Sequence, residues 1–459
     1  MKRWEPCPLT IIILVGAVIR LPGLFQMLWY DEAYTAMLSH LPLINMIQLT
    51  MQDVHPPTYY FLPLLSSRIF GWNEFALRLP SFILGMLAIY LAYRFASNVF
   101  DHRIGLVTAG LMALNPMMVY YSTEARMYAL LTVAVLLACI GAVENRWWLL
   151  GIGTGLMLLS HNMAVIYIPA LVLLVLANLP ARSKRFEGEM ITSFYAMCAG
   201  AVPWAFWIPN MIHQATSGQF SQSYWISYFT GNPFAKLLAE LTQLWFPHFR
   251  PEWVARMGAL VTFSLILFPV IEAIRRVNRR ALLCAALAFA PGLASLAITL
   301  AWQPVILART FIAGLPMWGA LVAWWILLPR AWNVRTGAMI GIAATLVLTC
   351  NVAFFSYDRS FNMKAMLDWL SANVKPTEVV CNTSESTGVF FSFYYRGISY
   401  PLREVASSKC DWLLDERYIM PDERTYDMAD ELIHQPGAIK VLNVLENPVI
   451  KTDLWKISR

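Results

Sequence analysis

Eleven predominantly apolar runs, each 14 to 22 residues long, constrain this chain more than any other feature. A helix of roughly 17–25 residues crosses the ~30 Å hydrocarbon core of a bilayer. Inside that core every backbone N–H and C=O must be satisfied within the segment, which leaves helices as the spanning element here. The predicted spans are 9–28, 78–98, 104–120, 128–143, 147–160, 163–179, 191–210, 253–274, 281–301, 311–328 and 336–355. The chain therefore reads as a polytopic α-helical membrane protein with about eleven transmembrane helices. With 58% hydrophobic and only 14% charged residues, it cannot be a soluble globular protein, since such chains carry about 25% charged residues.

The charges orient the spans. Lys2, Arg3, Arg94, Arg103, Arg146, Arg182, Lys184, Arg185, Arg275, Arg276, Arg279, Arg280, Arg330 and Arg335 fall in alternate loops, the pattern of loops that face the cytoplasm. The net charge of +6 is thus a topology signal and implies no nucleic-acid partner. Lys2 and Arg3 place the N-terminus inside, and the first run, which lacks a small-residue cleavage site, reads as a retained anchor. The run 57–70 is too short to cross and contains Pro63, so it is predicted to lie in the outer interface as an embedded helix. That parity puts the polar clusters before and after the next two spans on one face.

From 357 onward the character changes: 27 charged residues in 103 positions, against 35 in the preceding 356. The expected organisation is a transmembrane domain over 1–356 and a soluble extracytoplasmic α/β domain over 357–459. In the latter, helices are predicted near 360–373, 386–395 and 423–434, and strands at 378–382, 411–414 and 439–445. An outer loop over 211–252 should contain a short helix at 234–246. The seven cysteines show no metal-ligand or redox spacing, and only Cys381 and Cys410 share a non-membrane region. Asn382-Thr383-Ser384 fits the glycosylation acceptor pattern.

Five polar groups are expected to open onto one outer cavity: Asp31 with Glu32, Asp53 with His55, Glu124 with Arg126, His161 with Asn162, and Arg309. Adjacent carboxylates at a membrane boundary mark a substrate path or a catalytic group. The other reading of Trp29-Tyr-Asp-Glu-Ala-Tyr is a solvated helix start with Trp29 and Tyr30 as interfacial belt residues. Arginine is matched to phosphate by its planar fork of donors. Glu124 and Arg126 are two apart and do not face each other on a helix, which favours separate targets. Converging carboxylates, histidines and arginines suit a substrate with a charged group on a greasy tail. A lipid or lipid-linked sugar transporter without transferase chemistry is the alternative, but it would be expected to show inverted repeats and ionisable groups at mid-membrane.

The order Trp29-Tyr-Asp-Glu-Ala, Asp53-Val-His-Pro-Pro-Thr-Tyr-Tyr, Arg78-Leu-Pro-Ser and Tyr121-Ser-Thr-Glu-Ala-Arg-Met-Tyr resembles the bacterial branch of the protein O-mannosyltransferase and aminoarabinose transferase group. That group belongs to the GT-C class of glycosyltransferases, and the likeness covers about the first 170 residues. The resemblance implies the GT-C fold and an inverting glycosyltransferase of the bacterial inner membrane. It would move a single sugar, mannose or a pentose, from a polyprenyl-phosphate carrier to a lipid, glycan or protein acceptor at the outer face. It also implies Asp31 as the base, with Glu32 beside it. Arg126 and Arg309 would hold the lipid phosphate, His55 and Glu124 would orient donor or acceptor, and Asp53, Tyr59, His161 and Asn162 would line the cavity. A divalent metal is possible in such a site, and His55, Glu124 and His161 are its candidate ligands; none is predicted here. An oligosaccharide transferase would usually carry a paired-acid motif in the second loop, where this chain has Glu124 alone. After the arginine that stands just ahead of the tenth span, Arg309 here, many relatives have Tyr, whereas this chain has Thr310.

Overall fold

The computed structural model describes residues 7–457 except 54, 179–183, 217–230, 248–250, 329–333, 358–362, 384–389, 392, 396, 402–409, 419–428, 430 and 447–449. The chain divides into two units: residues 1–24, 42–66 and 78–357 form one, and residues 25–41, 67–77 and 358–459 form the other.

The first unit is a helical bundle in which the apolar runs are helical, as their composition requires. Length and apolarity alone qualify four helices to cross a membrane among the described residues: Pro8–Phe25, Glu74–Val99, Arg256–Arg275 and Arg279–Ala301. Two bent pairs raise this to six, fewer than the eleven spans read from the sequence. One pair is His102–Leu114 with Pro116–Ser122, bent by 64°. Pro116 cannot donate to the preceding turn, and the Asn115 side chain instead accepts the Met118 N–H at 2.9 Å to start the second piece. Asn351 repairs the same break by donating to Leu114 O at 2.7 Å. The second pair, Gly188–Ala205 with Ile208–Thr216, bends by 60°. Other apolar helices are shorter, such as Tyr128–Val143, which is almost wholly buried, and Trp147–Ser160, which exposes Trp147, Trp148 and Ile152. They pack through glycine: a Cβ on Gly151 would come within 2.8 Å of Ala196 O on the neighbouring helix, the small-residue contact by which helices approach closely in lipid.

The run 57–70 is helical, a 3-10 turn over Pro57–Tyr60 leading into Phe61–Phe70. At the end of the Glu74–Val99 helix, Arg94 grips Glu144 with two hydrogen bonds of 2.8 and 2.6 Å, and Asn98 adds a third at 2.6 Å. This bidentate pair ties that helix to the turn between Tyr128–Val143 and Trp147–Ser160. The helix expected at 234–246 is Pro233–Gln243, started by the Asn232 side chain accepting the Phe234 N–H at 2.9 Å.

The second unit has a five-stranded mixed sheet of strands β1 (Val379–Asn382), β2 (Ile398–Pro401), β3 (Trp412–Tyr418), β4 (Ile439–Glu446) and β5 (Ile450–Lys456), in the order β2-β1-β3-β5-β4. β1 runs parallel to β2 and β3, while β5 is antiparallel to β3 and β4. The helix near 360–373 is Met363–Asn373. Much of the helices expected near 386–395 and 423–434 lies outside the described residues. β2 and β5 were not expected. The unit also takes in an element assigned above to the transmembrane domain, helix Tyr30–His40: its Ala33 is buried with Met363, Met366, Phe390, Phe391, Trp412 and Leu454 in one core.

Cys381 and Cys410 form a disulfide with their Cα atoms 5.7 Å apart. Asn382, the asparagine of the acceptor triplet, is 1% exposed on β1 and donates to Tyr400 O at 3.2 Å; Ser384 lies outside the described residues. The disulfide closes a separation of 29 residues, which the chain-entropy relation values at about 3–4 kcal/mol. Replacing both cysteines with alanine is expected to lower stability by about that amount, read by denaturant unfolding, and reductant should reproduce the loss in the native chain.

Candidate active site

Asp53, just past helix Leu43–Gln52, and His55, just before Pro56-Pro57, sit on a turn that the two prolines hold extended. Glu124 and Arg126 lie in the turn between Pro116–Ser122 and Tyr128–Val143. The structure brings these segments together in the first unit. Arg126 is 4% exposed; its Nη1 donates to Tyr60 Oη at 3.3 Å and its Nη2 lies 3.4 Å from His55 Nδ1. Tyr60 donates in turn to Asp53 Oδ2 at 3.3 Å, and that oxygen lies 3.6 Å from His55 Nδ1. The four residues close a polar ring whose contacts all lie at or beyond the long end of hydrogen bonding.

The Arg126 backbone is held separately. Ser81 donates to Arg126 O at 3.3 Å; its one hydroxyl proton is thereby used, so the Tyr59 hydroxyl, 2.6 Å away, is the donor to Ser81. Tyr59 thus reaches the site through Ser81 and fixes the turn that carries Arg126.

The His161 ring packs edge-on against His55 with centroids 4.9 Å apart, and Tyr128 lies 5.8 Å from it. His161 Nδ1 accepts the Met163 N–H at 3.0 Å, which puts the ring proton on Nε2. Burial is the main cause that holds the His161 imidazole well below its ordinary value of 6.5, and the charges of His55, Arg309 and Arg126 push the same way. His55 is lowered too, first by burial and then by Arg126 and Arg309, with Asp53 opposing. Neutral His55 Nδ1 accepts from Arg126; protonated, it donates to Asp53.

Arg309, in the short helix Ala308–Phe311, is near enough for its charge to act on both imidazoles and on Tyr121, which also feels Glu124. Glu124 is fully buried. Asn162 spends its amide within the protein, donating to Gln214 Oε1 at 2.9 Å and accepting from Trp207 Nε1 at 3.2 Å. Asp31 and Glu32 belong to the second unit, in the first turn of helix Tyr30–His40, where the helix dipole favours negative charge. Glu32 is buried and its Oε2 accepts the Trp29 N–H at 3.4 Å, so it caps the helix. Asp31 is half-buried.

Sequence reasoning missed Tyr60, Ser81, Gln214 and Glu240. Tyr60 and Ser81 were within motifs already singled out, Asp53-Val-His-Pro-Pro-Thr-Tyr-Tyr and Arg78-Leu-Pro-Ser, but were read as part of a pattern and given no role. Glu240 is 5% exposed, pairs with Lys236 at 2.7 Å and accepts the Ala308 N–H at 2.6 Å; this secures the backbone beside Arg309. Among the described residues no three His, Cys, Asp or Glu side chains are grouped to hold a metal ion.

Residues 54–207, about a third of the chain, match the family model described as dolichyl-phosphate-mannose-protein mannosyltransferase. In three dimensions the chain is similar to ArnT from Cupriavidus metallidurans in the apo state, with a TM-score of 0.59 over 97% of both chains at 13% identity. It is equally similar to the same protein bound to undecaprenyl phosphate. This is the GT-C fold. The apo oligosaccharyltransferase of Archaeoglobus fulgidus shares it, with a TM-score of 0.51 and 15% identity over 93% of this chain and 71% of that one. No curated protein matches in sequence. The family-model match and the structural matches bear out the resemblance drawn from the motifs and the expected GT-C fold.

The two depressed imidazoles make a pH prediction. The unfolded chain takes up protons near pH 6.5 that the folded one declines, so stability is level above that value and falls as pH drops below it. Thermal unfolding in detergent between pH 7.5 and 5.5 should show that fall, and His161→Asn should flatten it.

Proposed function

We propose that the protein transfers a single sugar, mannose or a pentose, from a polyprenyl-phosphate carrier to a lipid, glycan or protein acceptor at the outer face of the bacterial inner membrane, with inversion at the anomeric carbon. The observation that carries this reading is the buried cluster around Arg126. A guanidinium held by Tyr60 and His55, with the charge of Arg309 beside it, is matched to a lipid phosphate. The family description and the undecaprenyl phosphate named for the ArnT structure support the same donor class.

In this mechanism Asp31 removes the proton of the acceptor hydroxyl as its oxygen attacks the anomeric carbon from the face opposite the phosphate. The bond from that carbon to the phosphate oxygen breaks, and the polyprenyl phosphate leaves with the electron pair. Arg126 and Arg309 stabilise the charge that grows on the departing oxygen. The neutral imidazoles of His55 and His161 orient donor oxygens, and Glu124 accepts from sugar hydroxyls; Asp53, through Tyr60 and His55, holds this wall of the cavity. Glu32 keeps the helix start that presents Asp31.

The eleven-span arrangement with an outer C-terminal domain belongs to the same proposal. The disulfide supports it, since such bonds persist outside the reducing cytoplasm.

Two substitutions test the roles. Asp31→Asn should lower the rate of transfer by about 10²- to 10⁴-fold while leaving donor affinity intact. Arg309→Ala should lower kcat by on the order of 10²-fold and weaken donor binding as well. Transfer from radiolabelled polyprenyl-phosphate sugars to membrane extract reads the first effect, and equilibrium binding of the labelled donor reads the second. Wild-type transfer by Asp31→Asn would sink the assignment of the base.

A further inference from the structure

We propose that the C-terminal unit is part of the catalytic apparatus, with Tyr394 as a positioning residue for Asp31. This rests on the reading of Asp31 as the base. The sequence separates the two residues by more than 360 positions and by every apolar run after the first, yet both fall in one unit.

A chain of contacts runs from one to the helix that carries the other. Tyr394 Oη accepts the Leu28 N–H at 2.8 Å and donates to Glu74 Oε1 at 3.0 Å. Leu28 is fully buried, so its N–H has no access to water and the phenol supplies the acceptor it needs. The next N–H, of Trp29, goes to Glu32. Two successive donors ahead of helix Tyr30–His40 are thus satisfied by side chains, and the backbone that enters the helix is fixed one turn before Asp31. The ring of Tyr394 is itself wedged against Phe390, centroids 4.9 Å apart, and Phe390 lies 6.1 Å from Tyr30 on the helix.

A second pin holds the helix beyond Asp31. Trp72 donates to Ala36 O at 2.9 Å and packs edge-on against Phe393 at 4.7 Å. Between the pins, Ala33 is buried against Phe390, Phe391 and Met366. A short helix held before, along and after its first turns leaves its half-buried carboxylate little freedom to tilt. A base that must meet a hydroxyl proton within about 3 Å gains from that restraint, because a displacement of about 1 Å costs on the order of 10²-fold.

The test uses the full-length enzyme with the phenol hydroxyl removed. Tyr394→Phe keeps the ring and its packing. The expected result is a kcat lowered by about 10- to 100-fold, with the KM for the polyprenyl-phosphate sugar within about two-fold of wild type. Combined with Asp31→Asn, it should add no further loss, because it acts through that carboxylate. A wild-type kcat in Tyr394→Phe, or a loss that multiplies with that of Asp31→Asn, overturns the proposal. If Tyr394→Phe fails to fold, Glu74→Ala, which takes away the acceptor of the same hydroxyl, should give the same split between kcat and KM; an unchanged kcat there overturns it as well. Should Asp31→Asn alone retain full activity, the reading of the base fails, an outcome distinct from these.

Discussion

A guanidinium shut away from water must be met by acceptors or other partners, and the cost of leaving it unmet is several kcal/mol. Arg126 meets that requirement with Tyr60 and His55, and the rest of the site follows from it. To supply those partners, the turn after helix Leu43–Gln52 must lie against the turn after Pro116–Ser122. To hold Arg126 still, Ser81 grips its carbonyl and Tyr59 in turn holds Ser81. The imidazoles beside it stay neutral because they are buried and already face positive charge.

The second unit answers a different constraint. A small sheet domain needs a core, and this one completes its core with a short helix from the far end of the chain. The consequence is functional: the helix so captured carries Asp31 and Glu32. The proposed phosphate-binding and proton-accepting groups thus belong to different units, and the disulfide between Cys381 and Cys410 lies in the one that holds the carboxylates.

Much of this was legible in the sequence, for identifiable reasons. Apolar composition survives any bend, so the apolar runs appeared as runs and were helical. The same insensitivity hid the bends after Asn115 and at Trp207, which made continuous stretches look like straight spans. Asp53, His55, Glu124 and Arg126 stood out because charge is rare in such a chain, and counting crossings placed them on one face. What could not be read was partnership across long separations: Glu240 with Ala308, Gln214 with Asn162, and Leu28 with Tyr394. Those contacts depend on tertiary packing and leave no local period or motif. β2 is four residues long and β5 interleaves Lys451, Thr452 and Asp453, so neither had enough apolar alternation to announce a strand. The domain boundary at 357 was visible in charge density, but the share of the second unit that lies before residue 78 was not.

The central claim is that this membrane protein breaks the bond between a sugar and a polyprenyl phosphate. The most direct measurement follows one labelled donor, with the label in the sugar and a second label in the lipid, through purified wild-type protein in proteoliposomes supplied with membrane extract. The account predicts that sugar label moves to an acceptor while an equal amount of polyprenyl phosphate accumulates. Intact donor that merely crosses from one leaflet to the other, with both labels still joined, would contradict it and make the protein a transporter.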